Sequence, residues 1–465
     1  MADIDALVNT VSSKGSEWAA LDPHIKVDLI QKCIDRLLDN EMAWVSESCV
    51  MKGYTADPKL ESNRRARTVE YESIVALVNH LRGARDVYSC YNTKKKAWVA
   101  PKLHTEKRSN TVSRVKVYPI SLFDKVTSSG MKLYVYTKSS TPNRVNFPTN
   151  KPNSGTLRAI LGAGNTDSCF DLVDALFIQN RVVIYKPNPV NEPVSKYTEY
   201  VFQPIIDLGY LAYIRGGAEI GQALIQHPQV FDFAMTGSSR TFDRIMFGAD
   251  ADKQTKEYKQ NPQNRIIHKP VVAELGGVTP WIIVPGNWSP KHLSRMASHL
   301  AYSKLDNNSF YCCSPQVVVT SSSWKQRDEF LNLMKSFMKQ AEPIHWYYPG
   351  SLDRAWPSQR KALLEEGFKS EDIDIAITKK ETDQANAYRG PLFATNLSQD
   401  SFVLKNEAFC AVLGEVCLES ASVEEFLTKT LEFTKTKLYG SLSATVMIHP
   451  KERRVNRDVF ERFID

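Results

Sequence analysis

The chain has 465 residues, 42% hydrophobic and 10% aromatic, which suits two or three domains with sizeable cores and excludes a mostly disordered chain. Its 59 Lys and Arg against 52 Asp and Glu leave a mild net charge of +7, with no basic block beyond Lys94-Lys95-Lys96. A nucleic-acid binder concentrates its basic residues more than this, so no nucleic-acid partner is expected.

The elements follow in chain order. Residues 1–18 are polar and carry no apolar signal core, and no apolar run is long enough to cross a bilayer. The expected setting is cytoplasmic, with no membrane partner. Asp22 before Pro23 predicts a helix N-terminus, with the carboxylate as cap and proline in the first turn. Ile25, Leu29, Cys33 and Leu37 then recur at spacing four beside Ile30, Ile34 and Leu38, which predicts one broad apolar face. A second helix is expected over 60–81.

From about residue 132 short β-rich runs appear, at 132–137, 156–161, 181–185, 231–235, 271–275, 281–284 and 317–320. Helical patterns lie between several of them, such as 170–179 and 195–208. Strands alternating with helices predict an α/β architecture of parallel sheets covered by helices. Residues 249–265 are polar, lack periodicity and read as a surface insertion.

Five stretches hold residue types suited to chemistry, and each also has a purely structural explanation. Residues 160–168, Ile-Leu-Gly-Ala-Gly-Asn-Thr-Asp-Ser, place Gly162 and Gly164 as in a dinucleotide-binding turn, but Asp167 stands where the third glycine belongs. A tight strand-to-helix turn explains the glycines equally well. Lys186 ends an apolar strand, the position where α/β sheets bind ligands, or it is a solvated lysine at a strand end. Thr236-Gly237-Ser238 precedes a helical pattern, which suits an anion such as a pyrophosphate or an ordinary serine cap. Glu274 lies in the apolar run Val-Val-Ala-Glu-Leu-Gly-Gly. Lost solvation there would raise its pKa toward general-base range, unless it is salt-bridged. Of the eight cysteines none forms a CxxC pair, so no metal site is signalled. Cys312 sits between polar residues and the strand after Pro315, where a thiolate has the exposure a nucleophile needs; an inert core thiol is the plain alternative.

Their order is informative. A Gly-Asn turn, a Lys-Pro strand end, Thr-Gly-Ser, Glu-Leu-Gly-Gly and then cysteine resembles the aldehyde dehydrogenase superfamily, from about Trp18 to the chain end. Asn406-Glu407-Ala408-Phe409 is similar to that family's Glu-x-Phe segment, and Asn188 to Glu192 suggest a divergent long-chain branch. The resemblance implies a Rossmann-type cofactor domain over 1–273, with N-terminal helices and an oligomerisation hairpin near 132–155. It implies an α/β catalytic domain over 274–465. It further implies oxidation of a small-molecule aldehyde to an acid with NAD or NADP, through a cysteine thiohemiacetal and thioester. In that scheme Cys312 is the nucleophile, the Asn165 amide and the Cys312 N–H hold the oxyanion, and Glu274 activates the hydrolytic water. Lys186 would bind the adenosine ribose, Gly237 and Ser238 the pyrophosphate, and Glu407 the nicotinamide ribose, with Phe409 near the ring.

Departures from the family pattern temper this. Ser309-Phe310 replace the usual Gly-Gln before the nucleophile, and Cys410-Ala411 replace Gly-Pro after Phe409. No acid follows Lys186-Pro187 at the usual place, so NADP stays open beside NAD. The chain also ends before the family's last substrate loop and terminal strand, so a homo-oligomer is expected to be weakened. The alternative is a catalytically inactive dinucleotide-binding or scaffold protein of the same fold.

Overall fold

The computed structural model describes residues 4–55, 61–95, 97–99, 104–109, 111–119, 125–126, 130–138, 153–166, 169–377 and 389–465. Asp167 and much of the expected hairpin near 132–155 lie outside them. Four helices open the chain: α1 (Ile4–Ser13), α2 (Gly15–Ala20), α3 (Pro23–Met51) and α4 (Glu61–Ser89). The Asp22 carboxylate accepts the His24 N–H at 2.8 Å, capping α3 as its sequence predicts. Leu29, Ile30, Cys33, Ile34 and Leu37 are buried, but Ile25 and Leu38 are 46% and 45% exposed. The apolar stripe is therefore narrower than its seven residues suggest, because its flanking positions fall outside the groove between α3 and its neighbours. Helix α4 continues well past 81, the expected end.

A three-stranded antiparallel sheet follows, β1 (His104–Lys107), β2 (Ser113–Tyr118) and β3 (Leu133–Thr137). Leu133 and Val135 on its edge strand are exposed. Arg108 and Arg114 of this region pair with Glu461 of the helix Arg457–Ile464 at 2.7 and 3.3 Å, tying the sheet to the far end of the described chain.

The first large sheet contains β4 (Leu157–Leu161), β5 (Val182–Lys186), β6 (Leu211–Tyr213), β7 (Val230–Gly237) and β8 (Val271–Leu275) in the order β8-β7-β4-β5-β6. The second contains β9 (Thr279–Ile283), β10 (Pro315–Ser321), β11 (Leu392–Ala394), β12 (Val412–Leu418) and β13 (Thr445–Met447) in the order β11-β12-β10-β9-β13. Every strand pair in both sheets is parallel. All residues of β5, β9 and β10 are buried, the signature of strands covered on both faces. In the second sheet Val317 and Val319 pack in one apolar cluster and Val318 in another, as side chains alternate across the sheet. The expected domain division at 273/274 falls inside β8, and the two sheets part at 276–278. No helix among the described residues is long and apolar enough to cross a membrane.

Candidate active site

Parallel strands put all their carboxyl ends on one edge of a sheet, which is where loops can converge on a ligand. On the first sheet that edge carries Asn165 after β4, Lys186 at the end of β5, Gly237 and Ser238 at the end of β7, and Glu274 near the end of β8. The register sets Leu161 against both Lys186 and Met235, and Leu275 against Gly237. The second sheet contributes its opposite edge. Cys312 lies three residues before β10, and Glu407 and Phe409 lie just before β12. Since only 276–278 join β8 to β9, the carboxyl edge of one sheet meets the amino edge of the other, and the site lies between them.

The nucleophile loop and the amide turn meet directly. The Asn165 Nδ2 donates to Phe310 O at 2.8 Å, across 145 positions of chain. An amide has two N–H groups, and this bond to the carbonyl uses one of them. Phe310, which replaces glutamine, is fully buried in an aromatic cluster with Tyr347, Tyr348 and Phe409 at 5.0, 5.6 and 6.1 Å between ring centroids.

The two adjacent thiols share a hydrogen bond and titrate as one system. Cys312 is pushed up, chiefly by the bond to Cys313, then by burial and by the charges of Cys313, Glu407 and Glu274. The more exposed Cys313 is lowered to about 6 by the same bond.

Glu407 links two motifs. A Cβ at Gly276 would stand 1.9 Å from its carboxylate, so the missing side chain of Gly276 is the space that admits it. Burial raises Glu407 to about 7, against the Gly277 N–H and the charge of Lys304. Lys304 is itself 2% exposed and lowered to about 8 by burial, with Ser314 Oγ at 3.3 Å.

Glu274 corrects an expectation. Its apolar neighbours suggest burial, yet the side chain is exposed. Strand β8 is the sheet's edge, and its exposure alternates, with Val272 and Glu274 outward and Val271, Ala273 and Leu275 half-buried. Its charge is nonetheless felt by Cys312 and by half-buried Asp171, which burial and then Glu274 raise.

Lys186 is buried and lowered by burial, opposed by Glu192 and Glu219; its ammonium donates to Pro187 O at a long 3.4 Å. Ser238 caps the helix Ser239–Phe247, accepting the Thr241 N–H at 3.1 Å, and its hydroxyl also shares a hydrogen bond with the Thr241 hydroxyl at 3.0 Å. Gly162 is explained by packing: a Cβ there would meet Tyr185 Oη at 2.4 Å. Residues that sequence reasoning missed are Cys313, Asp171, Lys304, Tyr347, Tyr348 and the pair Lys52–Glu70. Most lie far from the motifs in sequence. Only Lys304 and Cys313 flank Cys312 closely, and a thiol beside a thiol was a signal in plain view.

Two helix-covered parallel sheets, with a half-buried thiol, an amide donor, a half-buried carboxylate and an exposed one along the edges that face each other, define an α/β protein of two-sheet architecture. The aldehyde dehydrogenase family model matches residues 122–429, and the chain belongs to that family. It is 26% identical over 274 residues to D-glyceraldehyde dehydrogenase (NADP(+)) of Picrophilus torridus, covering 56% of this chain and 49% of that protein. The protein of the same name from Thermoplasma acidophilum is 24% identical over 270 residues, covering 55% and 48%. The chain thus spans about half the length of the curated relatives it matches. Among solved structures, aldehyde dehydrogenase C of Pseudomonas syringae superposes with a TM-score of 0.65 at 14% identity, over 99% of this chain and 79% of that one. The NADP-dependent glyceraldehyde-3-phosphate dehydrogenase of Bacillus halodurans gives 0.63 at 14% identity, over 98% and 80%. These likenesses establish the fold.

Proposed function

We propose that the protein oxidises an aldehyde to a carboxylic acid with NAD or NADP, with Cys312 as nucleophile. The observation that supports it most is the Asn165–Phe310 hydrogen bond, which brings a spare amide N–H beside the thiol loop. Cys312 attacks the aldehyde carbonyl, and the remaining Asn165 N–H with the Cys312 backbone N–H receives the oxyanion. Removing one such donor typically costs ~3–4 kcal/mol of transition-state stabilisation. Exposed Glu274 has direct access to water and takes the proton from the molecule that hydrolyses the thioester.

The cofactor edge fits a dinucleotide. A buried lysine whose hydrogen bond is long, a helix start capped by a serine and a half-buried carboxylate would hold ribose, pyrophosphate and second ribose at Lys186, Ser238 and Glu407. The nicotinamide supplies the hydride acceptor. Glu407 accepts a ribose hydroxyl best as a carboxylate, so its hold strengthens as pH rises through about 7.

The test is reduction of NAD or NADP by the full chain over a broad aldehyde panel, with Cys312→Ala alongside. Loss of the nucleophile should lower the rate at least about a thousandfold. A C312A variant as fast as the parent would sink the reading. One observation favours a silent dinucleotide-binding protein instead: Cys313, Glu407 and Glu274 all hold Cys312 protonated. Calorimetric cofactor binding without hydride transfer from any aldehyde to the cofactor would decide for it.

A further inference from the structure

Asn307, Asn308 and Ser309 adopt φ of +43°, +57° and +72° in succession, a left-handed run that L residues avoid. Each is pinned by its side chain. Ser309 Oγ donates to Lys304 O at 2.6 Å. Asn308 Nδ2 donates to Tyr54 Oη at 2.8 Å, and its Oδ1 accepts the His345 N–H at 2.9 Å. Asn307 is held from outside the catalytic domain, by Lys52 at the end of α3.

Lys52 is 2% exposed; its ammonium meets Glu70 Oε1 of α4 at 2.5 Å and donates to Asn307 Oδ1 at 3.0 Å. It also stands 5.2 Å from the centre of the Tyr347 ring. The Tyr347 hydroxyl lies 3.2 Å from the same Oδ1 and 3.3 Å from Asn165 O. With its oxygen claimed by these donors, the Asn307 amide turns its Nδ2 toward Phe310 O, at 3.3 Å. That carbonyl is the one the Asn165 amide holds at 2.8 Å.

We propose that Lys52 is a positioning residue for the nucleophile. By holding Asn307 left-handed, it fixes the Phe310 carbonyl against Asn165 and so sets the thiol two residues on against the oxyanion donor. The buried Lys52–Glu70 pair is the anchor, and it transmits the placement of α3 and α4 to the cysteine loop. This rests on the reading of Cys312 as nucleophile.

Two reagents separate positioning from general structure, and neither needs cofactor or aldehyde. Acylation by p-nitrophenyl acetate develops an oxyanion and depends on the Asn165 donor. Alkylation by iodoacetamide develops none. Both are followed on the full chain, with Cys312 identified as the modified site by peptide mass spectrometry. Lys52→Met should slow acylation at least tenfold while alkylation changes less than threefold. Asn307→Ala, which leaves the ion pair intact and so guards against a misfolded K52M, should do the same. The double variant K52M/N307G should return to within threefold of the parent, because glycine takes the left-handed conformation unaided. The proposal is overturned if folded K52M or N307A acylates within threefold of the parent, or if the double variant stays as slow as K52M. If the parent itself does not acylate at Cys312, the nucleophile reading falls and the positioning role falls with it.

Discussion

At the scale of residues, the vicinal thiols set the pH behaviour of the site. Cys313 carries the lower pKa, about 6, chiefly because Cys312 donates to it, with a backbone hydrogen bond adding to the effect. Replacing Cys313 by alanine removes that bond and its charge, leaving Cys312 with burial and the two carboxylates, all of which raise it. The sign follows: alkylation of the parent pair should rise through about pH 6, and alkylation of Cys312 in C313A should rise only above the ordinary thiol range near 8.5. The pH profile of iodoacetamide labelling, resolved by peptide, measures both. An unchanged profile in C313A would mean that the shared bond does not govern the pair.

At the scale of elements, α3 does two jobs. Its first turn is capped by Asp22 and its last residues deliver Lys52 to the cysteine loop. Asp22→Ala should cost about 1 kcal/mol, roughly fivefold in local opening. Hydrogen exchange at the His24 amide should quicken by that factor while the amides of the second sheet keep their rates. This cap was readable in the sequence, because the Asp-Pro signal is local. So were the β-rich runs, since strands buried on both faces read as unbroken apolar segments. The exposure of Glu274 was not, because an apolar run does not reveal which strand ends at a sheet's edge. Neither was the support behind Cys312. Glu70, Tyr347 and Asn307 belong to separate segments, and only the folded chain brings their polar atoms within bonding distance. The ordered motifs gave Asn165 and Cys312, whose loops meet; the residues that hold them were set by topology.

At the scale of the whole molecule, each large sheet has a buried lysine beneath it. Lys26, 1% exposed, donates to Asn180 Oδ1 and lies 4.2 Å from the centre of the Trp18 ring; burial lowers it to about 7. Lys304 is its counterpart at the second sheet, lowered to about 8. Both groups hold a proton in the unfolded chain up to about pH 10.4 but release it earlier when folded. Between those limits the unfolded chain binds more protons, so these lysines make folding more favourable as pH rises, each by up to ~1.4 kcal/mol per pH unit. Below about 7 the dependence on Lys26 vanishes, because both states are then protonated. Melting followed between about pH 7 and 8.5, below the range in which the unfolded chain's thiols ionise, should respond less favourably to rising pH in Lys26→Met than in the parent. An equal slope in the two would show that Lys26 keeps its proton on folding. For these two side chains burial is a preference for the uncharged amine, and the thiols of Cys33, Cys49 and Cys410, held protonated by the same burial, pull the other way once the medium is alkaline enough to ionise them in the unfolded chain.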